Sequence, residues 1–134
     1  MNPSIHHIAI VVRNLDAALA LYRDTLGLEM TERREAPDEG VEIAFLPAGE
    51  GKIELLRPLD AESGAARFLE KRGEGLHHVC LLVEDVEAAM ERLRAAGARL
   101  LSGEPRTDEH GTRYVFVHPK STHGVLLELY ETAE

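Results

Sequence analysis

Apolar residues recur along this chain at two periods, and the two alternate in a fixed order. Residues 5–12, Ile-His-His-Ile-Ala-Ile-Val-Val, predict a buried strand. Alternation along it puts His7 on one face with Ala9 and Val11, and His6 on the other. Asn14 then reads as an N-cap, followed at helical spacing by Leu15, Leu19, Tyr22 and Leu26, with Gly27 as the stop. Residues 28–34 predict a strand that leads into a polar loop, 35–40. A strand follows over 41–46, stopped by Pro47. After the Gly49-Glu50-Gly51 turn comes another, over 52–56, ending before Pro58. Its Ile53 and Leu55 share one face, and Glu54 and Leu56 the other. Ser63 caps a short helix over 65–72.

The second half repeats the plan. Residues 76–83, Leu-His-His-Val-Cys-Leu-Leu-Val, predict the first strand again. Asp85 caps a helix whose apolar stripe is Val86, Met90 and Leu93, and Gly97 ends it. Residues 99–101 start a strand, 104–112 form a polar loop, and 114–117 form a strand before His118-Pro119. Residues 121–124 turn, and 125–130 close the sheet. His7 and His78, like Ala18 and Ala89, are separated by a constant 71 residues, so one supersecondary unit is used twice. The expectation is an α+β chain, one domain over 1–134. It is built from tandem modules 1–72 and 76–134, joined by a glycine-rich boundary at 73–75, each ordered strand, helix, then about three strands.

Composition narrows the function classes. With 134 residues, 44% of them hydrophobic and 29% charged, the chain suits one packed domain rather than a disordered segment. A net charge of −9 argues against a nucleic-acid partner, which needs a basic footprint, and requires local cations or a metal wherever an anionic substrate binds. Cys80 is the only cysteine, so no intramolecular disulfide forms, and a reducing, cytoplasmic location is expected. No apolar run approaches the ~18 residues of a membrane span, so no membrane association is expected.

The repeat pairs more than histidines. Glu54 in Ile-Glu-Leu lies late in the first half, and Glu128 in Leu-Glu-Leu lies late in the second. A lone strand histidine is more often a hydrogen-bonded core residue, and a lone strand glutamate more often faces solvent. Carboxylates within apolar strands are costly unless paired or metal-bound. Four such residues at matched positions, His7, Glu54, His78 and Glu128, make a nitrogen–oxygen donor set suited to one divalent first-row metal. His6 and His77 lie off that face and read as structural. Cys80 shares a face with His78 and reads as an inert buried thiol. His110 and His118 are loop-side candidates for substrate contact.

With these residues in hand, the chain resembles the vicinal oxygen chelate (glyoxalase) superfamily. Within it, the resemblance is to the methylmalonyl-CoA epimerase family. The carrying stretches are residues 5–12, 45–59, Phe68-Leu69-Glu70-Lys71-Arg72-Gly73-Glu74-Gly75-Leu76-His77-His78, His118-Pro119-Lys120-Ser121 and Gly124-Val125-Leu126-Leu127-Glu128-Leu129. The resemblance implies a curved mixed sheet cupping a metal site, with His7, Glu54, His78 and Glu128 as ligands and Glu42 and Glu128 as an acid/base pair. It implies one divalent ion per chain, Co2+ first, with Mn2+, Ni2+ or Zn2+ as alternatives. A CoA thioester substrate and a homodimer are also implied, with Lys120 and Arg113 as candidate cations for the CoA phosphates. The implied reaction is epimerisation of methylmalonyl-CoA through an enolate. A glyoxalase I-like lactoylglutathione lyase and a metal-free, drug-sequestering binding protein of the same fold are the alternatives.

Overall fold

The computed structural model describes residues 3–132. Two compact units divide it: His7–His77, and a second that runs from His78 onward and takes in the first residues of β1 up to His6.

In the first unit, β1 (Ser4–Val11) leads into α1 (Leu15–Leu19), then β2 (Glu32–Ala36), β3 (Val41–Ala48), β4 (Gly51–Pro58) and α2 (Gly64–Arg72). The strand order is β2-β3-β4-β1, antiparallel except for the parallel β1–β4 pair. The second unit repeats this with β5 (Gly75–Val83), α3 (Val86–Ala95), β6 (Arg106–Thr107), β7 (Arg113–Val117) and β8 (Leu127–Glu131). Its order is β5-β8-β7-β6, with β5–β8 the parallel pair.

The strands of each unit separate their residues by face. In the first unit Leu15 and Leu19 of α1 pack with Ala44, Leu46, Leu55 and Val12, while Ala9, Val11, Val41, Ile43 and Leu56 form a second cluster with Ala36 and Ala65. Because side chains alternate, the first set is the face covered by α1, and the second, against which α2 packs, is the face that carries His7 and Glu54. In the second unit Val86, Ala89 and Met90 of α3 pack on Val83, Val115 and Leu129, which leaves His78, Glu128, Tyr130, Tyr114 and Phe116 on the other face. The caps are as expected: Asn14, Ser63 and Asp85 each accept a backbone N–H three residues on.

Four expectations shift. The first helix changes winding after Leu19 to a π-helix over Ala20–Thr25, with the Leu26 N–H donating to the Leu21 carbonyl. The wider turn rotates Leu26 off the buried stripe, and it is 61% exposed. The second strand starts later and runs into the expected loop, because Glu32–Ala36 is a charged edge strand with little apolar signal. Pro47 does not stop β3: β2 pairs no further than Phe45, so the missing N–H costs no ladder bond. Around Leu100 only a single bridge to Val117 forms, and a short strand, β6, falls inside the expected polar loop instead.

Candidate active site

His7 lies on β1 and Glu54 on the neighbouring β4, where the register sets Glu54 against Ala9. This brings His7 Nδ1 to 3.1 Å from Glu54 Oε2. The second unit makes the same arrangement from β5 and β8, with Cys80 set against Glu128 and His78 Nε2 3.1 Å from Glu128 Oε1. The exposures of His7, Glu54, His78 and Glu128 are 5%, 8%, 7% and 7%, so both carboxylates have left water. A carboxylate this buried is tolerable only in contact with a positive or donor group. Each pair sets an imidazole nitrogen beside a carboxylate oxygen, donor chemistry that a divalent first-row ion accepts. The residues present therefore fit the metal that the resemblance implies.

Aromatic side chains pack around the second pair. Phe116, set against Glu128 in the β7–β8 register, meets the His78 ring edge-on at 5.4 Å, and Tyr114 packs on Phe116 at 6.1 Å. Tyr130 shares the face of Glu128 two residues on, and its hydroxyl donates to Asp108. Burial and that carboxylate raise the Tyr130 pKa, so the hydroxyl stays a donor. Asp108 also accepts the N–H groups of His110 and Thr112, which ties the loop before β7 to β8. Sequence reasoning missed Tyr130, Phe116 and Asp108. The signal was available for Tyr130, which is two residues from Glu128 on the same strand.

The other candidates have defined places. The His6 ring packs on Tyr130 at 4.8 Å, and that of His77 on Phe68 at 5.2 Å. Cys80 is fully buried. His118 caps a short 3-10 turn by accepting the Lys120 N–H at Nδ1, and His110 is exposed at the loop tip. Arg113 is engaged in ion pairs. It is held on the helix-covered face by Glu131 at 2.9 Å and Glu87 at 2.6 Å.

Glu42 lies apart from the two His–Glu pairs. It shares the α1-covered face with Ala44 and Leu46, opposite to that of Glu54, and β3 offers Ile43 to the Glu54 face instead. Its carboxylate is clamped by Arg33 Nε and Arg57 Nε, each at 3.0 Å, and Arg33 continues to Asp16 beside α1. Glu42 ties helix to sheet and does not reach the Glu54 side. Its repeat counterpart is Arg113, which makes the same tie with charges reversed, Glu42–Arg57 becoming Arg113–Glu131.

A stability effect follows. Hydrogen bonding to Arg33 holds the Glu42 carboxyl below its usual value. A carboxyl whose folded pKa is depressed stabilises above its unfolded pKa and loses that contribution as pH falls through the folded one. Glu42→Gln should therefore cost about 1 kcal/mol near neutrality. The gap to the parent should close in acid, as read by urea midpoints at the two pH values, while catalytic turnover stays within about twofold of the parent. A loss of ~10² or more in turnover would return Glu42 to the chemistry.

A sequence profile of the Glyoxalase/Bleomycin resistance protein/Dioxygenase superfamily matches residues 6–116. The chain belongs to that superfamily. It is 49% identical over 127 residues to the ethylmalonyl-CoA/methylmalonyl-CoA epimerase of Cereibacter sphaeroides, covering 93% of this chain and 95% of that one. It superposes on methylmalonyl-CoA epimerase from Mycobacterium tuberculosis with a TM-score of 0.87 at 38% identity, covering 97% and 88% of the two chains. A glutamate-to-glutamine variant of the Streptomyces coelicolor methylmalonyl-CoA epimerase, in complex with 2-nitronate-propionyl-CoA, matches with a TM-score of 0.85 at 38% identity, over 97% of each chain. No helix among the described residues is long and apolar enough to cross a membrane.

Proposed function

We propose that this chain is a metal-dependent epimerase that interconverts (R)- and (S)-methylmalonyl-CoA. The observation that carries the reading is the buried His–Glu pair made twice by repeat-matched strands, in a chain nearly half identical to an epimerase of this class. One divalent ion per chain would be held by His7, Glu54, His78 and Glu128, with Co2+, Mn2+, Ni2+ or Zn2+ compatible with the donors. When bound, that ion supplies the positive charge that stabilises an enolate oxygen.

The chain's own part is proton transfer. The C2 proton lies between a thioester carbonyl and a carboxylate, and its removal leaves the electron pair in the enolate. Inversion requires a base on one face of C2 and an acid on the other. With Glu42 on the wrong side of its sheet, Glu54 is the candidate that the repeat supplies, standing in the first unit where Glu128 stands in the second. One carboxylate takes the proton, and the other, protonated, returns one to the opposite face. After the turnover their protonation states are exchanged, ready for the reverse reaction. The apolar rings and aliphatic side chains beside each glutamate limit water there, which slows loss of the proton to solvent. A cytoplasmic homodimer is part of the same proposal.

Substrate preference separates this reading from the lyase. Metal-loaded protein should turn over methylmalonyl-CoA far faster than the methylglyoxal–glutathione adduct. The opposite order would assign the lyase reaction to the same residues.

A further inference from the structure

Arg113 is engaged by Glu131 and Glu87; besides Lys120, the face of the first unit that carries Glu54 offers two further cations to a CoA phosphate on this acidic chain. Phe45 is set directly against Glu54 in the β3–β4 register. The Arg34 guanidinium carbon lies 5.5 Å from the Phe45 ring centre, and Lys52 Nζ lies 5.1 Å from it. Alternation and register place all three on the face of His7 and Glu54, since Lys52 is set against His7 and Arg34 against Ile43.

The two repeats differ here. In the second unit the equivalent ring, Phe116, packs against His78 and Tyr114. In the first, the ring carries two positive charges instead, each at cation–π distance. The row from His7 through Glu54 and Phe45 to Arg34 crosses four neighbouring strands, about 14 Å at the usual strand spacing.

We propose that Arg34 and Lys52, held by the Phe45 ring, form the subsite for the phosphates of the CoA-type substrate, with the guanidinium binding phosphate oxygens in bidentate fashion. This rests on the epimerase reading for the thioester but names residues which that reading does not use. Glu32 competes for the site, since its carboxylate lies 3.1 Å from Arg34 Nε.

The test compares kcat/KM for methylmalonyl-CoA with that for methylmalonyl-pantetheine, which has no phosphate, and measures Kd for CoA itself by calorimetry. Arg34→Gln and Lys52→Gln should each shrink the preference for the CoA thioester by about five- to tenfold and weaken CoA binding to match. Glu32→Gln should move both quantities the other way. If CoA affinity follows this pattern but neither thioester is turned over, the subsite stands and the epimerase reading falls. Unchanged preference and unchanged CoA affinity in both cation variants would overturn the subsite.

Discussion

His78→Ala should strip the purified chain of most of its divalent metal and abolish turnover. The side chain contributes a nitrogen to the proposed donor set, so the affinity loss should exceed the ~10–100-fold that altering an outer-shell partner costs. The change also leaves the buried Glu128 carboxylate without the imidazole now 3.1 Å away. Stability of the metal-free protein should therefore fall as well, by about 1–3 kcal/mol. His7→Ala should behave alike, because the repeat gives it the same relation to Glu54. His6→Ala and His77→Ala, whose rings pack on Tyr130 and Phe68, should keep their metal. Metal content by atomic spectroscopy, with urea midpoints of the apo forms, distinguishes the two classes. Full retention of metal in both His7→Ala and His78→Ala would remove the metal site.

The two glutamates should differ from the two histidines. Glu54→Gln and Glu128→Gln each keep an oxygen able to bind a metal and lose a group able to accept a proton. Epimerisation should fall in both by the ~10²–10⁴ that a positioned acid or base contributes. Each variant retains one carboxylate, so each should still exchange the C2 proton of one epimer, and the two should prefer opposite epimers. Proton NMR in deuterated solvent, run separately on each epimer, reads this. Identical epimer preference in the two variants would place both carboxylates on one side of C2 and require a different second base.

The repeat was the most legible feature of this sequence. Strong apolar runs around His7 and His78 are buried strands by their composition, and the constant spacing between them fixes equivalent positions without reference to a fold. The matched positions of each histidine and the late glutamate of its own half were likewise readable, while their contact follows from the parallel pairing of first and last strands, which the register alone shows. The face of Glu42 was not legible, because polarity does not alternate cleanly along its strand. Val41, Ile43, Ala44 and Leu46 are all buried, so both faces of β3 are covered and the pattern does not say which side Glu42 takes. Arg33 and Arg57 decide it from neighbouring strands. Charged edge residues such as Arg34 carry no period at all, and a cation gathered over Phe45 from a different strand becomes visible only with the register known. The π-helical turn after Leu19 is similar in kind, for the spacing of Leu19 and Leu26 suits an uninterrupted helix equally well.

The central claim is that two buried carboxylates, with a metal held beside them, move the C2 proton of a malonyl-type thioester. Its most direct test is deuterium incorporation at C2 of a single methylmalonyl-CoA epimer, followed with metal-loaded and metal-depleted protein. The expected result is rapid incorporation with appearance of the other epimer, lost on chelation and restored by a divalent ion. The contradicting result is metal-loaded protein that leaves C2 unexchanged, or exchange that proceeds at the same rate after the metal has been removed.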